Sequence, residues 1–243
     1  MSKRLKFFFS HLTISACIAL LIVGLVFFIW YQTPLAQAVG VTHLFFMMLA
    51  IDVVVGPVLG FIVYKEGKKT LKFDLSVIIS IQIIALCYGV YSIEKGRPAW
   101  ITYNVDRFEL VRKNEIIEDH ISLAKKQYQR VSLLGPQFVA VEFAKDMKTR
   151  NDDMFVEALG GISISQKPER YVPLEQVKIQ IQKRMQGLSI LYQYNVKEDV
   201  EKVIKKYPQA QSWVPLTASA VDMVVLLDKD AQVVKIVDLR PWK

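Results

Sequence analysis

Three long apolar segments occupy the first hundred residues of the chain. The first runs from Leu12 to Trp30 without a charge, and the second runs from Val41 to Tyr64 with a single acid, Asp52. The third runs from Leu75 to Ile93. At about 1.5 Å of rise per residue, each is long enough to cross a hydrocarbon core of roughly 30 Å. The pattern therefore predicts three transmembrane helices, over about residues 12–31, 41–64 and 74–93.

The charges between these segments predict their orientation. Basic residues Lys3, Arg4 and Lys6 precede the first segment, and the connection 65–72 is also strongly basic, whereas the connection 32–40 has no charge. Since basic residues concentrate on the cytoplasmic side of a membrane, the N-terminus and the second connection are expected in the cytoplasm. Three crossings then leave everything after about residue 95 on the opposite side.

The overall composition supports a division into two parts. The 243 residues are 52% apolar with a mean hydropathy of +0.27, yet 22% are charged. We therefore expect a three-helix transmembrane region over residues 1–94 and one exported domain over residues 95–243. Both cysteines, Cys17 and Cys87, fall inside the apolar segments, so the exported domain has none for a disulfide or a metal knot.

Alternating apolar positions predict strands at both ends of the exported domain. Residues 101–110 indicate a hairpin or one bent strand, and residues 138–143 a short strand. The plainest hairpin joins residues 223–227 to 233–239 through Asp228-Lys229-Asp230.

Helical spacing of apolar residues appears between these strands. Four helices are predicted, over residues 117–131, 154–159, 174–188 and 200–207. Asn151-Asp152-Asp153 are expected to cap the second of these helices, and Pro208 ends the fourth. Strands at both ends with helices between them predict a compact α+β domain. The expected fold class is thus a membrane protein with three transmembrane α-helices followed by an exported α+β domain.

Motifs typical of catalysis do not appear in the sequence. The histidines, His11, His43 and His120, are far apart, and the chain has no His-x-x-x-His pair, no Gly-x-Ser-x-Gly and no Cys-x-x-Cys. The sequence therefore predicts no enzyme, no catalytic residue, no metal and no cofactor. The basic excess of the exported part is diffuse, which favours a solvated surface over nucleic-acid binding.

Asp52 is the most unusual residue of the predicted spans. An acid near the middle of a span costs about 2.5–3.5 kcal/mol on insertion scales and usually faces other helices or water. Gln82 and Tyr88 of the third span lie at overlapping depth, so a hydrogen bond from either to Asp52 is expected. Three roles remain open: a polar clasp between helices two and three, a contact with a partner's membrane helix, and proton or ion conduction.

Gly56, Pro57 and Gly60 follow Asp52 on the second span. Proline removes a helical hydrogen bond and predicts a kink, while the two glycines allow another helix to approach closely. This notch suits docking of a partner helix or packing within the protein. Beyond the third span, Arg97 and Pro98 are expected to set the angle at which the chain leaves the membrane and to anchor it at the interface.

These motifs resemble those of the type IV pilin accessory proteins of the TfpX/TfpZ kind. The likeness covers most of the chain and is strongest over about residues 40–110. The residues that carry it are Asp52-Val53-Val54-Val55-Gly56-Pro57-Val58-Leu59, Gly67-Lys68-Lys69, Leu71-Lys72-Phe73-Asp74-Leu75, Gln82, Tyr88-Gly89, Arg97-Pro98, Val105-Asp106-Arg107-Phe108, Glu157-Ala158-Leu159-Gly160-Gly161 and the stretch from Pro168 to Pro173.

The resemblance implies a multi-pass protein of the bacterial inner membrane with a periplasmic C-terminal domain. It implies a pilin-specific chaperone or assembly modulator acting on the major type IV pilin, in contact with membrane lipid and with the pilus assembly machinery, and no established enzymatic activity. A membrane-anchored periplasmic sensor or ligand-binding receptor is the alternative. Its short cytoplasmic segments hold no output module, so such a receptor would have to signal through a partner. A membrane enzyme is a third, weaker alternative.

Overall fold

A computed structural model describes all 243 residues and places three long helices before a mixed α/β domain. The helices are α1 (Lys3–Leu25), α2 (Leu35–Val39), α3 (Val41–Val63), α4 (Leu71–Lys95), α5 (Met147–Gly160), α6 (Lys178–Arg184) and α7 (Lys197–Lys206). The strands are β1 (Pro98–Asn104), β2 (Arg107–Arg112), β3 (Gln137–Val141), β4 (Tyr171–Val172), β5 (Gln186–Gly187), β6 (Ser212–Thr217), β7 (Met223–Leu227) and β8 (Val233–Val237).

Helices α1, α3 and α4 are long and apolar enough to cross a membrane. A π-helical turn, Val26–Trp30, extends α1, and α3 continues through Pro57. Most of their large apolar side chains are exposed, as lipid-facing side chains are in a structure that contains no membrane. The three helices therefore anchor the protein, and the mixed domain follows them.

One mixed sheet forms the centre of the domain, with strand order β4-β3-β1-β2-β6-β7-β8 and β5 paired beside β6. Strands β1 and β3 are parallel, as are β2 and β6, and the other pairs are antiparallel. Both β1 and β3 start near the membrane helices, since β1 follows α4 after two residues and Gly135 lies against the carbonyl of Ile29. The far ends of these two strands therefore point away from the membrane.

Alternate residues of the strands build separate cores on the two faces of the sheet, as the pleat requires. On one face Ile101, Tyr103 and Phe108 pack with α6 and with Leu35 and Ala38 of α2. On the other face, one cluster surrounds Trp100 and Tyr171, and a second joins Trp213 to α7. The connection between the first two membrane helices thus contributes side chains to the core of the following domain.

Several predicted elements of the domain appear in the structure and others do not. The hairpins near residues 101–110 and 223–239 form, as does the short helix before Pro208. The predicted helix over 117–131 is wrong, because this segment consists of short 3₁₀ turns separated by extended residues. The predicted caps of the 154–159 helix are also wrong, because α5 begins at Met147 and is capped by Asp146. The predicted 174–188 helix is shorter, with α6 ending at Arg184.

Candidate functional site

Gln82 of α4 joins the three membrane helices through its side-chain amide. Its Nε2 donates to the main-chain carbonyl of Asp52 at 2.7 Å and lies 3.1 Å from the Ser15 hydroxyl oxygen. Its Oε1 lies 3.0 Å from Nε2 of His11. Because an amide oxygen can only accept, this ring nitrogen of His11 is the donor. We call these four residues, His11, Ser15, Asp52 and Gln82, the polar clasp.

Glycine at position 56 makes room for the clasp. A Cβ atom at Gly56 would collide with the side-chain amide of Gln82, and one at Gly60 would lie 2.8 Å from the ring of Phe7. Gly56, Pro57 and Gly60 are all buried within the helix bundle. The notch predicted on α3 is therefore filled by side chains of the protein's own helices α1 and α4.

The carboxyl group of Asp52 takes no part in these hydrogen bonds. Gln82 binds the carbonyl of Asp52, while Oδ2 of the carboxyl is buried without a hydrogen-bond partner. The expected contact between Asp52 and Gln82 thus exists, but through the main chain. Tyr88 does not reach Asp52, since its side chain is 71% exposed on another face of α4. His11 Nδ1 is a second buried atom that lacks a partner.

A cleft between α1 and α4 opens beside the polar clasp, with α3 as its floor. Its volume is about 280 Å³, and every member of the clasp lines it. Its mouth is apolar and exposed, formed by Ile14, Ile18, Ile79 and Ile83. We call it the polar cleft: an apolar groove open to lipid, with an acid and an imidazole at its base.

The chemistry available in this cleft is hydrogen bonding. Ser15 and His11 each contact Gln82, and no hydrogen bond joins Ser15 to His11 or to the Asp52 carboxyl, so no nucleophile–base pair forms. No group of three or more metal-ligating side chains converges anywhere in the structure. The free carboxyl and the free ring nitrogen can both accept a hydrogen bond from a molecule entering the cleft.

Arg97 and Pro98 lie where the membrane helices meet the domain. Arg97 is 1% exposed; its Nε contacts Glu94 at 3.2 Å, and its Nη2 donates to the Ser132 carbonyl at 2.7 Å. Lys113 binds the same Glu94 oxygen at 2.5 Å, and Pro98 starts β1. These contacts hold the domain against the end of α4.

The first connection adds a second attachment at the same place. The carbonyl of Ala38 accepts hydrogen bonds from the amides of Ala220 and Val221, at 3.0 and 3.1 Å. Tyr31 closes the end of the first span by donating its hydroxyl to the Ile93 carbonyl at 2.7 Å. The domain is thus fixed to the bundle by two separate segments of chain.

Helix α5 presents an unusual surface on the domain. None of its residues is buried, and Met154, Phe155 and Leu159 are 57%, 67% and 73% exposed. The helix is attached through Asp153, which binds Lys167 at 2.7 Å and Arg170 at 3.0 Å. It follows the end of β3 that points away from the membrane. We call the exposed side chains of Met154, Phe155 and Leu159 the α5 face.

Sequence reasoning missed two members of the clasp, His11 and Ser15. Their signal is the i, i+4 spacing, which places two polar side chains on one face of an otherwise apolar helix. A polar pair of this kind usually faces the interior of a bundle.

Comparisons with known proteins find similarity to fimbrial assembly proteins. A family model described as Fimbrial assembly protein FimB matches residues 1–40. Two proteins of Dichelobacter nodosus, "Fimbrial assembly protein, serogroup I" and "Fimbrial assembly protein, serogroup E1", are each 29% identical to this chain over 239 residues. Both alignments cover 94% of this chain and 92% of the relative.

A shorter relative from the same organism is more similar. "Fimbrial assembly protein, serogroups C1 and C2" is 36% identical over 116 residues, which are 47% of this chain and 88% of that relative. No solved structure matches the chain. The matches confirm the resemblance to pilus accessory proteins found in the sequence, and this chain belongs to the FimB family of fimbrial assembly proteins.

Proposed function

We propose that this protein is an accessory factor for type IV pilus biogenesis that binds the major pilin in the bacterial inner membrane before assembly. The observation that carries the proposal is the unused carboxyl of Asp52 at the base of a cleft open to lipid. The names of the relatives support a role in fimbrial assembly.

The cost of Asp52 favours an external partner. An acid at this depth costs about 2.5–3.5 kcal/mol on insertion scales, and the fold does not use its carboxyl for any internal hydrogen bond. A client helix that presents a hydrogen-bond donor at the same depth would satisfy the carboxyl and cover the isoleucines around the cleft. The client site is therefore the polar cleft rather than the filled notch at Gly56 and Gly60.

The proposed orientation keeps the N-terminus and the connection 65–72 in the cytoplasm and the domain in the periplasm. Two observations support it. The basic residues before the first span and between the second and third lie at the end of the bundle opposite the domain. The uncharged connection 32–40 packs into the domain and must therefore share its side of the membrane.

The exported domain offers a second contact for the same client. A protein that waits in the membrane as one helix with an external head would touch this chain both in the bilayer and outside it. The α5 face is an apolar surface that the domain leaves uncovered. We assign it to the head of the client, and the polar cleft to the client's helix.

Replacement of Asp52 by Asn tests the membrane part of this proposal. Because the carboxyl has no internal partner, D52N should accumulate to the wild-type level, while pilus assembly falls severalfold. D74N is the matched control. Asp74 is an acid in the first turn of α4, and its carboxylate forms an ion pair with Lys68. Normal piliation with D52N would show that the Asp52 carboxyl is not required for pilus assembly.

Photocrosslinking in cells tests the contact directly. A probe replacing Ile83, on the wall of the polar cleft, should give an adduct with the major pilin. A probe at the exposed, lipid-facing Phe28 should not. Adducts from both positions, or from neither, would contradict a client site in this cleft.

A further inference from the structure

A second cleft lies between α3 and α4 at the end of the bundle nearest the domain. We call it the outer cleft; its volume is about 520 Å³. Leu44 and Met48 of α3 and Ala85, Tyr88 and Gly89 of α4 line its apolar part. Arg112 and Asn114, from the domain, line its other end. The cleft thus passes from an apolar region to a cationic one.

The length of the outer cleft fits one leaflet of a bilayer. On α4 it extends from Ala85 to Gly96, about 16 Å at 1.5 Å per residue. One leaflet contributes half of a hydrocarbon core of roughly 30 Å, about 15 Å. The cleft as a whole therefore matches one leaflet in depth, and Arg112, at its polar end, lies at the level of the head groups.

The charges around the polar end favour an anionic head group. Three cations lie near this end, Arg97, Arg112 and Lys113, and they form ion pairs with only two carboxylates, Glu94 and Glu115. The group therefore has a net positive charge. Arg112 binds Glu115 through Nε at 2.9 Å and Nη2 at 2.6 Å. Its Nη1 is left free, and its side chain is 31% exposed. Guanidinium groups bind phosphate through charge-assisted hydrogen bonds.

The cationic end of the outer cleft favours an anionic phospholipid as its occupant. The volume of about 520 Å³ lies within the range of sites for one small molecule. We infer that the outer cleft is a binding site for one anionic phospholipid, with its phosphate on Arg112 and an acyl chain along Ala85 and Gly89. This site is separate from the polar cleft, so the inference does not depend on the proposed client.

The test measures retention of phosphatidylglycerol by the purified full-length protein, by native mass spectrometry in detergent. Wild-type protein should retain one molecule, and palmitoyl-oleoyl phosphatidylcholine should be retained much less. R112Q should weaken binding of phosphatidylglycerol about tenfold, since it removes the charge-assisted contact, whereas R112K should bind better than R112Q. R107Q is the matched control, because Arg107 lies at the other end of the same strand.

A second pair of variants tests the apolar part without touching a charge. A85W fills the cleft from an exposed position and should also reduce retention severalfold, whereas I84W, on the neighbouring exposed residue outside the cleft, should not. The inference is overturned if wild-type protein retains no phosphatidylglycerol, if R112Q and A85W retain as much as wild type, or if phosphatidylcholine binds equally well. Displacement of the lipid by glycerol phosphate would indicate a site for a free phosphate and would also overturn it.

Discussion

At the scale of single residues, the polar clasp explains why α3 has glycine at position 56. Glycine in the middle of a helix is less favourable than alanine by about 1 kcal/mol in water, so its presence at position 56 requires an explanation. Here the reason is the Gln82 amide, which occupies the place of a Cβ atom and there reaches the Asp52 carbonyl. The glycine and the glutamine therefore depend on each other.

Gly56→Ala should destabilise the bundle even though alanine favours helices. The new methyl group would displace the Gln82 side chain and break up to three hydrogen bonds. Each is worth about 0.6 kcal/mol within a membrane, so the free energy of unfolding should fall by roughly 1–2 kcal/mol. Unfolding in mixed detergent measures the change. Gly24→Ala is the control, since nothing lies within 4 Å of that Cβ position; equal stabilities of the two variants would contradict the clasp.

Tyr103 makes the domain that follows the membrane helices sensitive to alkali. Burial raises the pKa of Tyr103 from 10.0 to about 12. Below pH 10 both the folded and the unfolded chain keep the phenol proton, so the group does not affect stability. Between pH 10 and 12 only the unfolded chain loses it, and stability must fall. A pH series of thermal unfolding should show this decrease, and it should be smaller in Y103F.

Part of the polar clasp could be predicted from the sequence. Counting residues from the span ends placed Asp52 and Gln82 at the same depth, and the structure brings them together. That Gln82 binds the carbonyl and not the carboxyl could not be predicted, because it depends on the rotation of α4 about its axis. The sequence pattern does not define that rotation when most of the helix is apolar.

At the scale of elements, α5 differs from every other helix of the domain. Helix α7 buries Val200 in the core and α6 buries Ile181, but α5 buries no residue. Its stability comes from the Asp146 cap, which accepts from the Thr149 amide at 2.9 Å, and from the ion pairs of Asp153. An exposed apolar face on a helix held by polar contacts is typical of an interaction surface.

Substitution of Phe155 and Leu159 by serine tests the α5 face. Both side chains are exposed, so the double variant should fold with a change in stability of less than about 0.5 kcal/mol, as for most surface positions. Crosslinking between the domain and the major pilin should fall severalfold. Ile179→Ser is the control, with a similar exposure of 69% on α6; an equal loss in both would show that general surface hydrophobicity is responsible.

The helix predicted over residues 117–131 does not form, and this segment shows where the spacing of apolar residues fails to predict the backbone. Ala124 and Tyr128 are buried against the sheet as predicted for one helical face, but they are placed by 3₁₀ turns at Ile121–Leu123 and Lys126–Tyr128. Turns of three residues separated by extended residues reproduce a 3–4 spacing of apolar side chains. The pattern therefore identified two buried residues but not the backbone that carries them.

At the scale of the whole molecule, the membrane region and the domain share one core. Leu35 and Ala38, from the connection between α1 and α3, are 4% and 0% exposed among residues of the sheet. The sequence pattern divided the chain near residue 95, because the third apolar segment ends there and charged residues become frequent. It could not show that an uncharged loop some sixty residues earlier completes the domain, since only the tertiary fold brings the two together.

Leu35→Ala should therefore destabilise the domain, although Leu35 lies in the connection between two membrane helices. Loss of a buried leucine typically costs about 2–5 kcal/mol, or roughly 5–15 °C in the unfolding temperature of a domain of this size. Tryptophan fluorescence of the purified protein measures the transition. Leu21→Ala, at a lipid-facing position that is 76% exposed, should leave it unchanged. An unaltered transition in both variants would mean that the domain folds without the connection.

The shared core also determines the order of events during synthesis. About 180 residues separate Ala38 from Ala220, whose amide binds it. Because chains are synthesised at about 5–20 residues per second, the connection is made roughly 10–40 seconds before this partner. All three spans are made before the domain can close over Leu35. A chain that stops before β7 therefore leaves an apolar segment outside the membrane, where proteases can distinguish it from a finished molecule.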